Sequence, residues 1–482
     1  CFWDEKFENP IEKPRFVNKG NVTSYLFSNE KVRFLEINSK TGLYPLYLAY
    51  SCFKEKQKTL CIEKKLESEK KLWNDVVNDN LFIICKTPMA KTITRRTLLG
   101  YTQGKINAHC FDDIKNIITY KPIQFHDRVL KESFWGKGTG IMKFDAIVGN
   151  PPYQENVGSD SNSSLSKQLF PYFIKSSIEL DSNYVSFITP SKWFTAEAQD
   201  KSFIQLRKFI KNNHQHFCSI YHYPNDNDVF SKVSIAGGVN YFLYDKNYTG
   251  DVQFSECYGI NKTTVSRPLF EEDLDIILSM NVFVDILNKV RKHNDFVSMM
   301  TITKGRNAFD IVGKETELSK ITTEHFFPGA YEVRCAHEKI LYTSEENISK
   351  NIDIADKWKI FTSKGNGGAG ILNNESAVAI LGKAYIGKPQ SVCTDSLIPI
   401  GCFDSEKEAI NLQKYMCTKF LRFMVGILKV SQNVYQNVYR FVPLQDFTSN
   451  SDINWDVPIS VIDSSLYLKY GLSEKEISII EK

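Results

Sequence analysis

The chain has 482 residues, 42% hydrophobic and 24% charged, a balance that excludes disordered and fibrous proteins and leaves room for two to four domains. No apolar run reaches the roughly 18 to 20 residues of a membrane span, and the N-terminus, CFWDEKFENP, is charged rather than signal-like, which points to a cytoplasmic protein with no membrane partner. Sixty basic against 56 acidic residues give a net charge of +4, so nucleic-acid binding is neither required nor excluded.

The first residue, Cys1, stands where a methionine is expected and suggests that the gene product begins upstream, with residues 1 to 32 a truncated N-terminal segment. Residues 33 to 57 read as a buried strand, RFLEI, a tight polar turn, NSKTG, and an apolar helix, LYPLYLAYSCF, the opening unit of an α/β fold. The charged stretch that follows, to residue 80, reads as a solvated amphipathic helix pair. LFIIC at 81 to 85, NAHCFDDI at 107 to 114 and FDAIVGN at 144 to 150 are short apolar runs ending in small or polar residues, as parallel strands do. Ligand chemistry gathers at the carboxyl ends of such strands. A helix around LFPYFIKSSIEL, the strand YVSFITP, a helix near AQDKSFIQLRKFI and the strands FCSIYHY and GGVNYFLYDK complete a mixed sheet of about seven strands by residue 248.

Beyond residue 250 the spacing turns irregular, with the glycine-punctuated segments TKGRNAF, FTSKGNGGAGIL and GKAYIGKPQSV, which marks a second domain. The end of the chain reads as an extended arm, RFVPLQDF at 440 to 447, and a short helix whose start is signalled by Ser473, Glu474 and Glu476. The expected division is therefore a first domain over 33–250, a mixed α/β second domain over 251–440, and an arm and helix over 441–482. Eleven scattered cysteines without a CxxC pair suggest reduced, mostly buried thiols.

The strongest chemical signal is Asn150-Pro151-Pro152-Tyr153, directly after the strand FDAIVG. Two prolines remove the backbone donors, so the strand end offers carbonyl acceptors and the Asn150 side-chain oxygen, a combination suited to gripping an amine. The Tyr153 ring supplies a flat wall for a planar heterocycle. A proline-terminated strand with an aromatic staple explains the same four residues. His214, His216 and Cys218, alternating along a strand, are weak metal-ligand candidates without a carboxylate to complete a site, and no metal is expected. The run GNGGAG at 365 to 370 lacks the strand-loop-helix context of a phosphate cradle and reads as a loop, and no nuclease arrangement of acids is evident.

In this context the tetrapeptide resembles the amino-group methyltransferases that use S-adenosyl-L-methionine. The order of parts resembles the gamma class of adenine-specific DNA methyltransferases in restriction-modification systems, of the type IIG-like methylase family. The resemblance implies a Rossmann-like catalytic sheet followed by a target recognition domain. LEINSKTGLY at 35 to 44 stands where that family has its cofactor loop, so the resemblance places Glu36, Asn38, Thr41 and Gly42 at the cofactor, with Asp112 of CFDDI as acceptor for its adenine amino group. Asp113 is the neighbour with which Asp112 can be confused, and an Asp pair there could equally cap a helix. Lys40 replaces a family glycine, Ile37 replaces its proline, and Cys85, Lys86, Thr87 and Pro88 follow LFIIC in place of a ribose-binding acid, so weak cofactor affinity is expected.

The same resemblance implies a target adenine flipped out of double-stranded DNA, held by Asn150 and Pro151, with Pro152 completing the strand end, and stacked between Tyr153 and Phe230. Lys304, Arg306, Lys364, Lys383 and Lys388 are candidates for DNA contacts, although solvation accounts for them as well. A restriction endonuclease or helicase, fused or separate, is the implied partner. Two other functions fit the sequence: a methyltransferase acting on protein glutamine or RNA through the same tetrapeptide, or a non-catalytic DNA-binding specificity subunit.

Overall fold

The computed structural model describes residues 26–27, 29–59, 66–102, 104–111, 113–156, 166–196, 198, 200–230, 235, 237–365, 380–429 and 434–481. The chain divides into two compact units, Cys1–Ile277 and Leu278–Lys482. Among the described residues no helix is long and apolar enough to cross a membrane.

The first unit opens with β1 (Phe34–Ser39), α1 (Leu43–Thr59), α2 (Leu66–Asp79), β2 (Leu81–Cys85), α3 (Pro88–Leu99) and β3 (Ala108–Cys110). It continues through α4 (Ile114–Tyr120), α5 (Pro122–Val129), β4 (Ala146–Gly149), the hairpin strands β5 (Gln154–Asn156) and β6 (Ser166–Gln168), and α6 (Phe170–Glu179). It ends with β7 (Tyr184–Pro190), α7 (Ser202–Lys211), β8 (Phe217–Tyr223), β9 (Val239–Asp245), β10 (Val252–Tyr258) and β11 (Asn261–Arg267). Among the described residues the main sheet has nine strands in the order β11-β10-β8-β9-β7-β4-β1-β2-β3. β1 to β4 and β7 run parallel, while β9 is reversed between β7 and β8.

The chain builds outward from β1 to β3 in one direction, then crosses to the other side of β1 for β4 and β7. That reversal is the switch point of a doubly wound, Rossmann-like sheet, and it opens a cleft at the carboxyl ends of β1 and β4. Strands in such a sheet are covered on both faces, which is why every residue of FLEINS and LFIIC is buried. Alternation divides them: Leu35, Ile37, Phe82 and Ile84 join one core with Phe173 and Phe187, and Phe34, Leu81 and Ile83 join the other with Val76 and Leu98. Gly149 at the end of β4 has a steric reason, since a Cβ there would stand 2.6 Å from the Ile37 carbonyl oxygen.

Three expectations need correction here. The sheet has the expected seven strands by residue 248 but is not complete there, because among the described residues β10 pairs parallel to β8 and folds back as a hairpin with β11. Phe254 and Val252 of β10 are buried in the first core, so the compact boundary falls after Ile277 rather than at 250. His214 and His216 lie in a 3-10 turn ahead of β8 rather than alternating along a strand with Cys218.

The second unit contains α8 (Asn281–Arg291), α9 (Glu315–Ile321), β12 (Tyr331–Arg334), β13 (Ile340–Thr343), α10 (Ile352–Ala355), β14 (Trp358–Ser363), β15 (Ala384–Gly387), β16 (Ser391–Cys393) and β17 (Leu397–Phe403). The helices α11 (Glu406–Cys417), α12 (Lys419–Leu428), α13 (Ile459–Lys469) and α14 (Glu474–Glu481) follow. Its strands form two three-stranded sheets, β13-β12-β16 and β15-β14-β17, around Phe309, Val333, Phe361 and Val392. GKAYIGKPQSV is therefore mostly strand, whereas of GNGGAG only Gly365 lies inside the described residues.

The last forty residues are integral to this unit rather than an arm. Met299 N donates to the Val442 carbonyl at 2.8 Å, Leu444 N donates to the Val297 carbonyl at 2.7 Å, and Phe420 stacks on Tyr470 at 5.2 Å. The helix start at Ser473 is a capping box: the Glu476 carboxylate accepts from Ser473 N at 2.7 Å, and the Ser473 hydroxyl accepts from Glu476 N at 3.4 Å.

Candidate active site

The end of β1 is assembled from local constraints. Glu36 lies within β1 and is only 3% exposed. Its Oε2 has no hydrogen-bond partner. Burial pushes the carboxyl up to about 8, against the opposing effects of the Ser39 hydrogen bond and the Lys40 charge. Asn38 sits at φ 75°, a left-handed conformation that asparagine tolerates, and its side-chain amide donates to the Asn150 carbonyl at 2.8 Å.

Gly42 is at φ 76°, and a Cβ there would lie 2.9 Å from the Thr94 Cα, so the loop can pass α3 only as glycine. The Thr41 carbonyl accepts from the Thr97 hydroxyl at 2.6 Å, and Lys86 N donates to the Ser39 carbonyl at 2.9 Å. The loop is thereby held to α3 and to the end of β2. At that end stand buried Cys85 and exposed Lys86, with Thr87 capping α3 by accepting from Ala90 N.

The end of β4 lies beside it, with Glu36 in register with Val148 two residues before Asn150. The Asn150 Oδ1 is buried without a partner, as is the Tyr153 hydroxyl. The Tyr153 ring packs edge-on to Phe170 at 6.3 Å, and its carbonyl accepts from Leu169 N at 3.0 Å. Three buried polar atoms without partners thus gather at the switch point, where unmet hydrogen-bonding capacity costs about 1 to 3 kcal/mol each. A ligand carrying an amine and a polar group would recover that cost.

Tyr44 in the first turn of α1, which no motif in the sequence marks, joins the same neighbourhood. Burial, then the Glu36 charge, raises its phenol above the usual range; burial, then Tyr44, does the same to Tyr153. Tyr44 packs with Phe230, Tyr221 and Ile235 on a cluster of Ile188, Tyr223, Val239 and Tyr241, whereas Tyr153 packs on the other core. Phe230 is half-buried after a 3-10 turn, with its N–H donating to the Asp226 carbonyl at 2.8 Å. Residues 231–234 and 236 of the segment expected to form the last motif lie outside the described residues, as does Asp112. Asp113 caps α4, accepting from Asn116 N at 3.4 Å.

A second group missed in the sequence stiffens the end of β7. Asn240 donates to the carbonyls of Thr189 and Pro190 and to the Ser191 hydroxyl at 3.2 to 3.3 Å, and Ser191 bonds the His222 Nδ1 at 2.9 Å. Burial, with a smaller contribution from the Arg267 charge, lowers His222 to about 4, so it is neutral at physiological pH. An asparagine inside the apolar strand VNYFLYD was the available signal. The expected metal candidates are engaged elsewhere: His214 with the Lys211 carbonyl, His216 with the Tyr248 carbonyl, and Cys218 with the Leu243 carbonyl.

In the second unit, four of the five cations considered for DNA contact are ion-paired. Arg306 and Lys364 meet Asp395 at 2.9 and 3.3 Å, Lys383 meets Glu338 at 3.0 Å, and Lys388 meets Glu332 at 3.1 Å.

Residues 79–230, which include β2 to β4, the Asn-Pro-Pro-Tyr tetrapeptide and β7, match the model of the Eco57I restriction-modification methylase family. A relative from Mycoplasma pneumoniae, named as an uncharacterized adenine-specific methylase, is 32% identical over 161 residues, which is 33% of this chain and 36% of the relative. The chain thus spans little more than a third of the length of that curated relative. Among solved structures, the Type IIL restriction-modification enzyme MmeI in complex with DNA is similar over 96% of this chain and 73% of that chain, at 10% identity and a TM-score of 0.48. A nuclease-deletion mutant of the Type ISP enzyme LlaGI, in complex with a DNA substrate mimic, is similar over 93% of this chain and 44% of that chain, at 12% identity and a TM-score of 0.42.

Proposed function

We propose, on the premise that residues 79–230 carry a restriction-modification methylase segment, that the chain is a site-specific DNA adenine methyltransferase using S-adenosyl-L-methionine. The observation that carries this reading is the pair of buried, partnerless acceptor and hydroxyl atoms on Asn150 and Tyr153, at a strand end joined through Asn38 to the loop after β1.

The residues at the end of β1 fit the cofactor. A buried carboxyl oxygen without a partner, on Glu36, suits an ammonium group, and the glycine at position 42 lets the backbone run close to the ligand. When bound, the cofactor supplies a methyl group on a sulfonium. Glu36, Asn38, Thr41 and Gly42 would hold its methionine part, and Asp112 its adenine.

The Asn150 Oδ1 accepts a hydrogen bond from the exocyclic amine of the target base, and the Pro151 carbonyl accepts the second. Two acceptors orient the nitrogen lone pair toward the methyl group, an advantage of position rather than of acid-base chemistry. Tyr153 and Phe230 line opposite faces of the flipped adenine. Unstacking a base costs a few kcal/mol, and each aromatic face returns about 1 to 3 kcal/mol, so the sandwich is sufficient to hold the base out of the helix. Asn240 and Ser191 fix the end of β7 behind this pocket.

The second unit, Leu278–Lys482, supplies the recognition domain, and a restriction endonuclease or helicase is the functional partner. Incubating the protein with labelled cofactor and duplex DNA, RNA or a glutamine-containing protein tests the substrate class. Label in the adenine of DNA alone is expected; label in RNA or protein, or in none of the three, would refute the reading.

A further inference from the structure

Between Leu81 and Phe111 the chain carries five lysines and arginines and no aspartate or glutamate. These residues form β2, α3 and the turn into β3. Lys86, Lys91, Arg96 and Lys105 are exposed, and Lys40, from the loop held against α3, is exposed beside them. Among the described residues none of these cations, nor Arg95, is in an ion pair, in contrast to Arg306, Lys364, Lys383 and Lys388 of the second unit. Burial and then the charge of Lys86 hold the Lys40 ammonium below its usual range, against the opposing charge of Glu36, so the two cations repel one another.

The same surface is not simply polar. Met89 is 73% exposed and Tyr101 is 90% exposed, with Leu43 and Ile93 also open to solvent. Arg96 lies over the Tyr101 ring at 5.1 Å, and Arg95 fixes the turn by donating to the carbonyls of Thr102 and Gly104 at 2.8 and 3.1 Å. α3 starts at the carboxyl edge of the sheet, the edge that also carries Asn150, and its 12 residues span about 18 Å. Exposed, unpaired cations on α3 and its flanking turns, with aromatic and apolar side chains among them, on a helix that starts at the sheet edge carrying Asn150, complement a polyanion whose charges recur along its length.

We infer that the exposed face of α3 and its flanking turns, through Lys86, Lys91, Arg96 and Lys105, binds the phosphate backbone of the duplex DNA flanking the target base. This rests on the reading of the chain as a DNA methyltransferase. It adds that nonspecific DNA affinity resides in the catalytic unit, so that the second unit, where Arg306, Lys364, Lys383 and Lys388 are paired to carboxylates, contributes selectivity more than grip. Phosphate contacts of this kind carry no sequence information.

The test is a salt titration of the full chain on duplex DNA, comparing wild type with K91Q/R96Q/K105Q, whose three positions are solvent-exposed and make no hydrogen bond to the cofactor loop among the described residues. Each lost phosphate contact lowers the slope of log affinity against log salt by about 0.9, so the triple variant is expected to lose about 2 to 3 in slope. Its affinity should fall evenly across unrelated sequences, with its melting temperature and its affinity for S-adenosylmethionine unchanged. An R306Q/K364Q variant, in the second unit, should keep the wild-type slope to within one contact. If wild type binds duplex DNA and K91Q/R96Q/K105Q retains its slope, the inference is overturned while the methyltransferase reading stands. If wild type methylates RNA or protein and does not bind duplex DNA, that reading falls and this inference with it.

Discussion

The most informative perturbation of the cofactor end is Glu36→Gln, because the environment of this carboxyl predicts a pH dependence of definite sign. Burial without a partner on Oε2 pushes Glu36 up to about 8, from an ordinary value near 4.5. The folded protein therefore holds this proton more tightly than the unfolded chain. The stabilisation is fully present below the unfolded value and is lost as pH rises through the folded one. Within that window a single group changes stability by about 1.4 kcal/mol per pH unit. Glu36→Gln should flatten the fall in urea midpoint between pH 5 and pH 8.

Binding of an ammonium-bearing cofactor requires the opposite state, the carboxylate. About nine-tenths of the free protein is protonated at Glu36 at pH 7, so cofactor affinity should weaken about tenfold per pH unit below 8 and binding should release close to one proton. Calorimetry at pH 7 in two buffers of different ionisation enthalpy reads the proton directly. Glu36→Gln should bind weakly, release no proton and show a flat profile from pH 6 to pH 8. Wild-type affinity independent of pH over that range, or proton release retained in Glu36→Gln, would refute the reasoning.

Asn150→Ala and Tyr153→Ala should each lower methyl transfer by about 100-fold or more while leaving cofactor affinity nearly unchanged, since both side chains are assigned to the target amine and base; a parallel loss of cofactor binding would indicate a collapsed strand end. Asn38→Gly keeps the left-handed backbone but leaves the Asn150 carbonyl without its donor, for about 1 to 3 kcal/mol in urea denaturation, and Asn38→Ala should cost about 1 to 2 kcal/mol more from backbone strain. Equal stability of the two variants would remove strain from the explanation. Gly149→Ala forces a methyl group to 2.6 Å from the Ile37 carbonyl oxygen and should lower stability by about 1 to 3 kcal/mol, read as a lower melting temperature.

The parallel strands were legible because burial on both faces leaves apolar runs such as LFIIC and AIVG, with FLEI broken only by Glu36, and the Asn-Pro-Pro-Tyr tetrapeptide stood out because it ends one of them. β10 and β11 were not legible as part of the sheet. NKTTVSR is almost wholly exposed, and VQFSECY pairs with residues of β8 that lie 34 positions earlier, a long-range register that no local pattern reports. The start of α3 was visible in Thr87-Pro88, a cap followed by a proline in the first turn, and was read only for the acid it lacked.

At the site, Glu36 and Gly42 were singled out by the resemblance of this strand-turn-helix to the family's cofactor loop. That Asn38 turns toward Asn150 depends on its positive φ and on the pairing of β1 with β4. Tyr44 was passed over because an aromatic residue in LYPLYLAY looks like helix core until the Phe230 cluster is assembled around it. The second unit was least legible, since ion pairs such as Arg306 with Asp395 join residues 89 positions apart.

The most direct measurement is digestion to nucleosides of duplex DNA incubated with the full chain and methyl-labelled S-adenosylmethionine. The account predicts label in N6-methyldeoxyadenosine, abolished by Asn150→Ala under conditions where the cofactor still binds. Label in any other nucleoside, or in adenine at an undiminished rate with Asn150→Ala, would contradict it.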